Sequence, residues 1–291
     1  MSQVKRIYTH ETRAITAGGV VNFQCPSFDL IDDVQLEFTN SGAACTLANI
    51  LSSINRIEAT IDGQNWISAP IGLLANLYTF MGNKTYTGTA QVNVFSLNLA
   101  RLMFDKPEDR DFFAIGTLNV ETIQVRVYVG GTVTAVTDVT LKTVRRSIQS
   151  GLSSYIQVID YPQTMSAAGI SSIETLPRDS NDSYLAVLAY AGTGGAISEG
   201  ECVLNGNSIV NLTSLNAMNA NAQLRGFAPV SGIFPYIFCD GTARSVLPMQ
   251  GITELRLKTT FTTAPSTGQY DLLAISVKNT PQAVINAVAA V

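Results

Sequence analysis

One imidazole, His10, and four thiols, Cys25, Cys45, Cys202 and Cys239, are the groups in this chain of 291 residues best suited to nucleophilic or metal chemistry. A Ser-His-Asp or Cys-His arrangement would have to use His10, close to a terminus of the kind that is often poorly ordered. Structural zinc needs four closely spaced thiolate or imidazole ligands, whereas these cysteines lie far apart with no Cys-x-x-Cys pattern, so buried free thiols are predicted. Hydrolysis of a glycoside needs two carboxylates held about 5 to 10 Å apart across a cleft. Asp32, Asp33, Glu58, Asp62, Glu108, Asp109 and Asp111 are the candidates, and they read as surface-loop residues. Asp105, Glu108, Asp109 and Asp111 cluster the hard oxygens that calcium prefers, without the spacing of an EF-hand loop.

Phosphate chemistry fares no better. Gly192-Thr193-Gly194-Gly195 follows a strand-like run, but Ile197 stands where a dinucleotide fingerprint needs its third glycine. Gly82-Asn83-Lys84-Thr85 lacks the Gly-Lys adjacency and upstream glycine of a phosphate loop, and it reads as a turn. Trp66, Tyr78 and Phe80 could stack on sugars or bases, yet beside a hairpin and on an apolar helix they are expected in the core. No catalytic, cofactor-binding or metal residue is assigned, and the chain is not read as an enzyme.

The elements carrying these residues occur twice. Arg56–Ile61, Asp62-Gly63, Gln64–Ile67 and the apolar stretch Ile71–Met81 return as Glu201–Leu204, Asn205-Gly206, Asn207–Val210 and Leu212–Leu224. Each copy reads strand, type I′ turn, strand, helix, because Asp-Gly and Asn-Gly accept two successive positive φ values. Pro70 suits a helix opening, with Leu74, Leu77, Tyr78 and Met81 on one face. In the second copy Thr213 or Ser214 can cap, and Leu215, Met218 and Ala222 form the stripe. Ile123–Val129 finds its partner in Ile252–Lys258, and Thr137–Val144 and Tyr270–Val277 close the copies. A repeat of roughly 140 residues exceeds any solenoid period of about 20 to 50, so it means two whole domains of one fold.

Strands are predicted at 13–16, 20–25, 34–39, 57–61, 65–68, 92–97, 123–129 and 136–144, then at 155–160, 170–175, 184–190, 202–204, 208–210, 236–239, 253–260 and 270–277. About eight per copy is a jelly-roll count. The expected fold is all-β, two tandem eight-stranded jelly rolls with short helices in loops, the first over 1–147 and the second over 148–291 with a C-terminal tail. Arg145–Ser154 reads as the joining segment, Thr46–Ser53 as a short helix and Asp105–Asp111 as a charged loop. The first copy is longer between its hairpin turn and its late strand, which places the extra residues in loops 82–89 and 105–111, the candidates for an exposed crown.

Charged residues make up 14% of the chain and hydrophobic ones 46%, a low charge content that suits a surface spent on packing against copies of itself and fits a secreted β-protein nearly as well. A net charge of −4 without a long basic run does not advertise sequence-independent nucleic-acid binding, so direct genome packaging is not expected. Lys5-Arg6 and the group Lys142, Arg145 and Arg146 read as small solvated faces. The polar stretch Met1–Arg13 carries no signal core, which leads to an expectation of assembly in a reducing cytoplasm. Ala283–Val291 is too short to span a membrane, which takes about 20 residues, and reads as a docking arm.

Asn55–Gly63, a strand reaching the Asp-Gly turn ahead of a helix, and Phe112-Phe113-Ala114-Ile115-Gly116-Thr117 leading into Glu121–Tyr128 resemble the double jelly-roll major capsid proteins of tailless icosahedral bacteriophages, most nearly the corticovirus type. The resemblance implies a structural coat protein of the virion. It implies a homotrimer whose six rolls make a nearly hexagonal tile, contacts with neighbouring capsid trimers and with penton and minor capsid proteins, and no specific nucleic acid. Many such shells enclose an internal lipid membrane, toward which Lys5, Arg6 or the 283–291 tail would point. The rival reading is a carbohydrate-binding jelly-roll or viral spike protein, with a sandwich-class hydrolase third.

Overall fold

The computed structural model describes residues 4–82, 93–104, 107–240 and 246–279. The chain forms two compact units. The described part of the first comprises 4–79, 93–104, 107–157 and Asn279, and that of the second Phe80–Gly82, 158–240 and 246–278.

In the first unit the elements run β1 (Arg6–Ala14), β2 (Val20–Cys25), β3 (Leu30–Asn40), β4 (Ala43–Ala44), α1 (Leu47–Ser53), β5 (Ile54–Ile61), β6 (Gln64–Pro70), α2 (Ile71–Phe80), β7 (Val94–Ser96), α3 (Ala100–Met103), α4 (Pro107–Phe112), β8 (Ile115–Gly116), β9 (Ile123–Val129) and β10 (Asp138–Arg146). One sheet has the order β1-β10-β3, with β4, β7 and β8 sharing the far edge of β3, and the other has the order β2-β9-β5-β6. β11 (Ser154–Thr164) opens in the first unit and continues into the second, followed by β12 (Gly169–Ile173), β13 (Asp182–Tyr190), β14 (Ala196–Leu204), β15 (Asn207–Ser214), α5 (Leu215–Leu224), β16 (Ile233–Ile237), β17 (Leu247–Pro248), β18 (Leu255–Thr263) and β19 (Gln269–Asn279). Here the orders are β11-β19-β13-β16 and β12-β18-β14-β15.

Leaving aside the two-residue pieces β4, β8 and β17, each unit has its first, eighth, third and sixth strands in one sheet and its second, seventh, fourth and fifth in the other. That is the two-Greek-key arrangement of a jelly roll, and it occurs twice.

Local chemistry explains why the elements fall where they do. In β9 the side chains of Ile123, Val125, Val127 and Val129 are buried while Gln124 and Arg126 face out, the period of a half-buried strand. Asp62 and Gly63 take φ of 48° and 77°, Asn205 and Gly206 take 46° and 78°, so both hairpins turn through paired positive φ values. The polar turn residue does a second job in each copy. Asp62 Oδ1 accepts from the amides of Glu121 and Thr122 at 2.9 and 2.7 Å, and Asn205 Oδ1 accepts from those of Thr253 and Glu254 at 2.8 and 3.0 Å. The side chain thereby pins the approach to the seventh strand. Ser214 caps α5 by accepting from the Ala217 amide at 3.4 Å, and Met218 and Ala222 are its buried stripe. The second core gathers around Phe234, Tyr236, Phe261 and Tyr270.

Several expectations need correction. The first strand begins at Arg6 rather than 13, because each residue from Arg6 to Ala14, His10 excepted, faces a partner on β10 from Arg145 to Asp138, a pairing between the first and last strands of the roll that no local pattern reveals. β14 starts at Ala196, ahead of the predicted 202, with Gly192–Gly195 as the turn before it. The joining segment is shorter than Arg145–Ser154, since Arg145 and Arg146 complete β10 and Ser154 opens β11. The described part of 105–111 is helical, with Pro107 at the first position, where a missing amide hydrogen costs nothing. Leu255, not Ile252, is the counterpart of Ile123. Starting from Ile252 is an odd shift of three that would turn Glu254 and Arg256 inward, whereas the buried Leu255, Leu257 and Phe261 and the turn side chain set the register.

Candidate assembly surfaces

The groups with catalytic potential are held in structural roles. His10 lies on β1 with its Nε2 2.7 Å from Thr143 Oγ1 and 3.4 Å from the Arg145 guanidinium. Burial first, then the charge of Arg145, lowers its pKa and favours the neutral ring.

All four cysteines are buried thiols. Burial raises Cys25 to about 11 and Cys202 to about 12, and it raises Cys45 as well. Neutral thiols are poor nucleophiles, so none of the four should titrate with a disulfide reagent in the native chain, and all four should after denaturation. Fast modification of any native thiol would contradict this burial. Because these thiols are raised in the folded state, the stability they contribute is complete below the ordinary value of 9.0 and is lost as pH climbs through about 11 to 12.

The carboxylates are also engaged. Asp32 lies 2.7 Å from Arg146 and 3.5 Å from Lys5, and Asp33 accepts from Ser96 Oγ at 2.6 Å and Gln35 Nε2 at 2.8 Å. Glu58 accepts from Tyr128 at 2.6 Å and pairs with Arg56, and Asp62 serves its turn. Asp111 pairs with Arg146 at 2.9 Å. Asp105 and the side chains of Glu108 and Asp109 lie outside the described residues, among which no group of three or more His, Cys, Asp or Glu could hold a metal ion. Trp66, Tyr78 and Phe80 are buried, which removes them as a stacking platform and places them in the core as expected.

The basic group 142–146 is not a solvated face. Lys142 pairs with Glu37 at 2.6 Å, Arg146 bridges Asp32 and Asp111, and Arg145 is 1% exposed. Arg145 donates to the carbonyls of Pro26 and Phe28 and to Thr143 Oγ1, each at 2.7 Å, and its guanidinium lies 3.9 Å from the centroid of the Phe28 ring. A planar fork of donors satisfies carbonyls that no strand ladder reaches.

Gly116, in the Phe-Phe-Ala-Ile-Gly-Thr run, is explained by space. A Cβ there would sit 2.2 Å from the Gly151 carbonyl oxygen, so only glycine lets the 150–151 backbone pass. Phe113 stacks on Phe104 at 5.4 Å, and Thr117 Oγ1 donates to the Asp29 carbonyl at 2.6 Å.

With chemistry accounted for, the surfaces differ most at the fifth strand and the helix after it. In the first unit β6 is buried from Trp66 to Ala69, and α2 is buried along most of its length. Within this unit the Gln157 side-chain Nε2 donates to the Asn65 carbonyl at the start of β6. In the second unit the same elements are open. β15 ends its sheet, with Ile209 43% and Leu212 63% exposed, and Leu224 at the end of α5 is 89% exposed. An open depression of about 490 Å³ runs between them, lined by Ile209, Thr213, Met218, Arg225, Phe238 and Leu247. Residues 207–224 contain no Asp, Glu, Lys or Arg, a signal present in the sequence that its reading as hairpin arm and helix did not use. A more polar depression of about 510 Å³ on the first unit is lined by Arg13, Gln24, Gln124, Arg126 and Tyr128 among others.

Residues 283–291 and most of loop 82–89 lie outside the described residues. Among the described residues no helix is long and apolar enough to cross a membrane.

No family model and no curated protein matches the chain. Among solved structures it is similar to the major capsid protein P2 from bacteriophage PM2, with a TM-score of 0.77, 15% identity, and coverage of 96% of this chain and 99% of that one. A chain from the atomic structure of Sulfolobus Turreted Icosahedral Virus matches with a TM-score of 0.72, 15% identity, and coverage of 97% and 93%. One from the PBCV-1 virus capsid matches with a TM-score of 0.67, 10% identity, and coverage of 97% and 96%. These likenesses span nearly the whole chain and establish the double jelly-roll fold, as the sequence resemblance implied.

Proposed function

We propose that this chain is the major capsid protein of an icosahedral virus, a coat subunit without catalytic activity. The observation that carries the reading is that one strand order is repeated in both units, in a chain covering 99% of the PM2 major capsid protein. The rolls divide near 147/148 in this reading, and three copies associate as a homotrimer whose six rolls mimic a hexagon. A chain with internal twofold repetition lets a threefold assembly fill six-coordinated positions. The sparse charge and the open β15–α5 face suit a surface that is covered on assembly.

The trimer packs in the virion against neighbouring capsid trimers, penton and minor capsid proteins and, in virions that enclose one, an internal lipid membrane. It binds no specific nucleic acid, and assembly takes place in the host cytoplasm.

Light scattering on the purified chain tests this reading. Three times the 31.1 kDa chain mass, with hexagonal tiles visible by electron microscopy, is the expected result. A stable monomer with affinity for glycans would replace it with the carbohydrate-binding alternative.

A further inference from the structure

We infer that Asn205-Gly206, at the tip of the β14–β15 hairpin, is a site of spontaneous modification at which the asparagine loses its side-chain nitrogen, and that Glu254 holds the rate down in the folded chain.

The chemistry needs an asparagine followed by a residue whose backbone nitrogen is unshielded. Asn205-Gly206 is the one Asn-Gly pair in the sequence, and both residues are exposed. Glycine carries no side chain to cover its nitrogen, and the space beside Gly206 is open, with nothing within 4 Å of where a Cβ would stand. In the reaction the Gly206 nitrogen gives up its proton and bonds to Asn205 Cγ. The Cγ–Nδ2 bond breaks, and ammonia leaves with that proton. Water then opens the succinimide ring at either carbonyl. One opening leaves aspartate in an ordinary backbone, and the other leaves isoaspartate, whose backbone runs through Cβ and Cγ.

Both reacting groups are held by the segment ahead of β18. The Gly206 amide donates to Glu254 Oε2 at 2.9 Å, so its proton is bound by a carboxylate that would sit beside any negative charge left on the nitrogen. Arg256 steadies that carboxylate from 3.3 Å. Asn205 Oδ1 accepts from the Thr253 and Glu254 amides at 2.8 and 3.0 Å and from Thr253 Oγ1 at 3.0 Å, and its Nδ2 donates to the Gly251 carbonyl at 3.2 Å. Ring closure requires the carboxamide to swing toward Gly206, which breaks these contacts. The reaction therefore proceeds from a locally opened turn, and whatever stabilises the closed turn slows it.

The first roll shows what one product would do. Its turn carries Asp62 at the matching position, and Asp62 Oδ1 accepts from the amides of Glu121 and Thr122. Aspartate at 205 keeps the same acceptor and so keeps the hold on the approach to β18. Isoaspartate loses it, because its free carboxylate is the former backbone carbonyl and its chain is longer by a methylene.

Ageing the full chain at mildly alkaline pH, with peptide mapping by mass spectrometry and the guanidinium-unfolded chain as reference, tests the site. Conversion at Asn205 ahead of the other asparagines, and slower than in the unfolded chain, is the expected result. Glu254→Ala should speed it by at least about tenfold, the scale on which loss of a hydrogen bond to a charged group raises an open population. Glu254→Gln, whose carbonyl can still accept from Gly206, should fall between. Asn205→Asp should melt with the wild type, and the isoaspartate fraction of aged chain should melt below it. An Asn205 that stays intact while the unfolded chain converts overturns the site. A Glu254→Ala variant with wild-type circular dichroism and a wild-type rate overturns the control by Glu254.

Discussion

Arg145→Met is expected to lower the stability of the first roll by about 3 kcal/mol, seen as a fall in melting temperature of roughly 8 °C. The guanidinium donates to three acceptors at 2.7 Å, two of them carbonyls in the connection between β2 and β3. Methionine keeps an unbranched apolar stem in place of the arginine's, but it is shorter and offers no donor. The Pro26 and Phe28 carbonyls then lose their partner, at a cost of about 1 to 3 kcal/mol per buried group, moderated here because Phe28 is partly exposed. Stacking on the Phe28 ring is lost as well, worth about 1 kcal/mol at a half-exposed position. Arg145→Lys separates charge from geometry. An ammonium retains the charge but cannot span three acceptors in one plane, so it should recover less than half of the loss. Full recovery with lysine would show that charge alone matters at this position. Thermal unfolding followed by circular dichroism measures both variants.

Gly200→Ala should cost the second roll a similar amount, about 3 kcal/mol, by overpacking. A methyl group there would lie 2.4 Å from Phe234 Cε1 and 2.6 Å from the Tyr236 hydroxyl, distances at which something must shift. Neither ring has room to move. Phe234 and Tyr236 are fully buried, and the Tyr236 hydroxyl is fixed at 2.6 Å to the Lys258 carbonyl and 2.8 Å to Thr259. The strain would pass to the pairing of β14 with β15 and β18, where irregular register already flanks Gly200. Soluble yield and melting temperature should both fall. Gly206→Ala is the comparison, since its Cβ meets nothing within 4 Å and its cost should reflect only a φ of 78°. If Gly200→Ala melts like wild type, the rings are less tightly fixed than their contacts imply.

Much of this architecture was legible because the deciding forces act within a few residues. Asp62-Gly63 and Asn205-Gly206 turn where positive φ is tolerated, Ser214 caps because its oxygen reaches the Ala217 amide, and β9 buries every second residue. The repeat of those signals in the same sequence order led to two rolls. Other features depended on partners far along the chain. Arg6–Ala14 looks like a polar arm until β10 supplies its ladder, and Arg145 looks solvated until the 26–28 carbonyls close around it. In the second roll the counterpart of Ile123 is expected at Ile252 and found at Leu255, an odd shift decided by the burial of Leu255, Leu257 and Phe261 and by the hold of Asn205 on Glu254.

The candidate surface divides along the same line. Sparse charge and the neutral run 207–224 are properties of composition, and they already called for a covered face. Composition cannot tell which of two similar hairpin-and-helix units is the open one. β6 with α2 and β15 with α5 share one pattern of turn, strand and helix, yet the first pair is largely buried and the second faces solvent. Turns, caps, alternation and their duplication are written into neighbouring residues, since each follows from dihedral preference or side-chain period over a short stretch. Which edges pair, which charges are buried and which face stays exposed emerge on folding, because those outcomes depend on the groups that long-range strand pairing brings alongside.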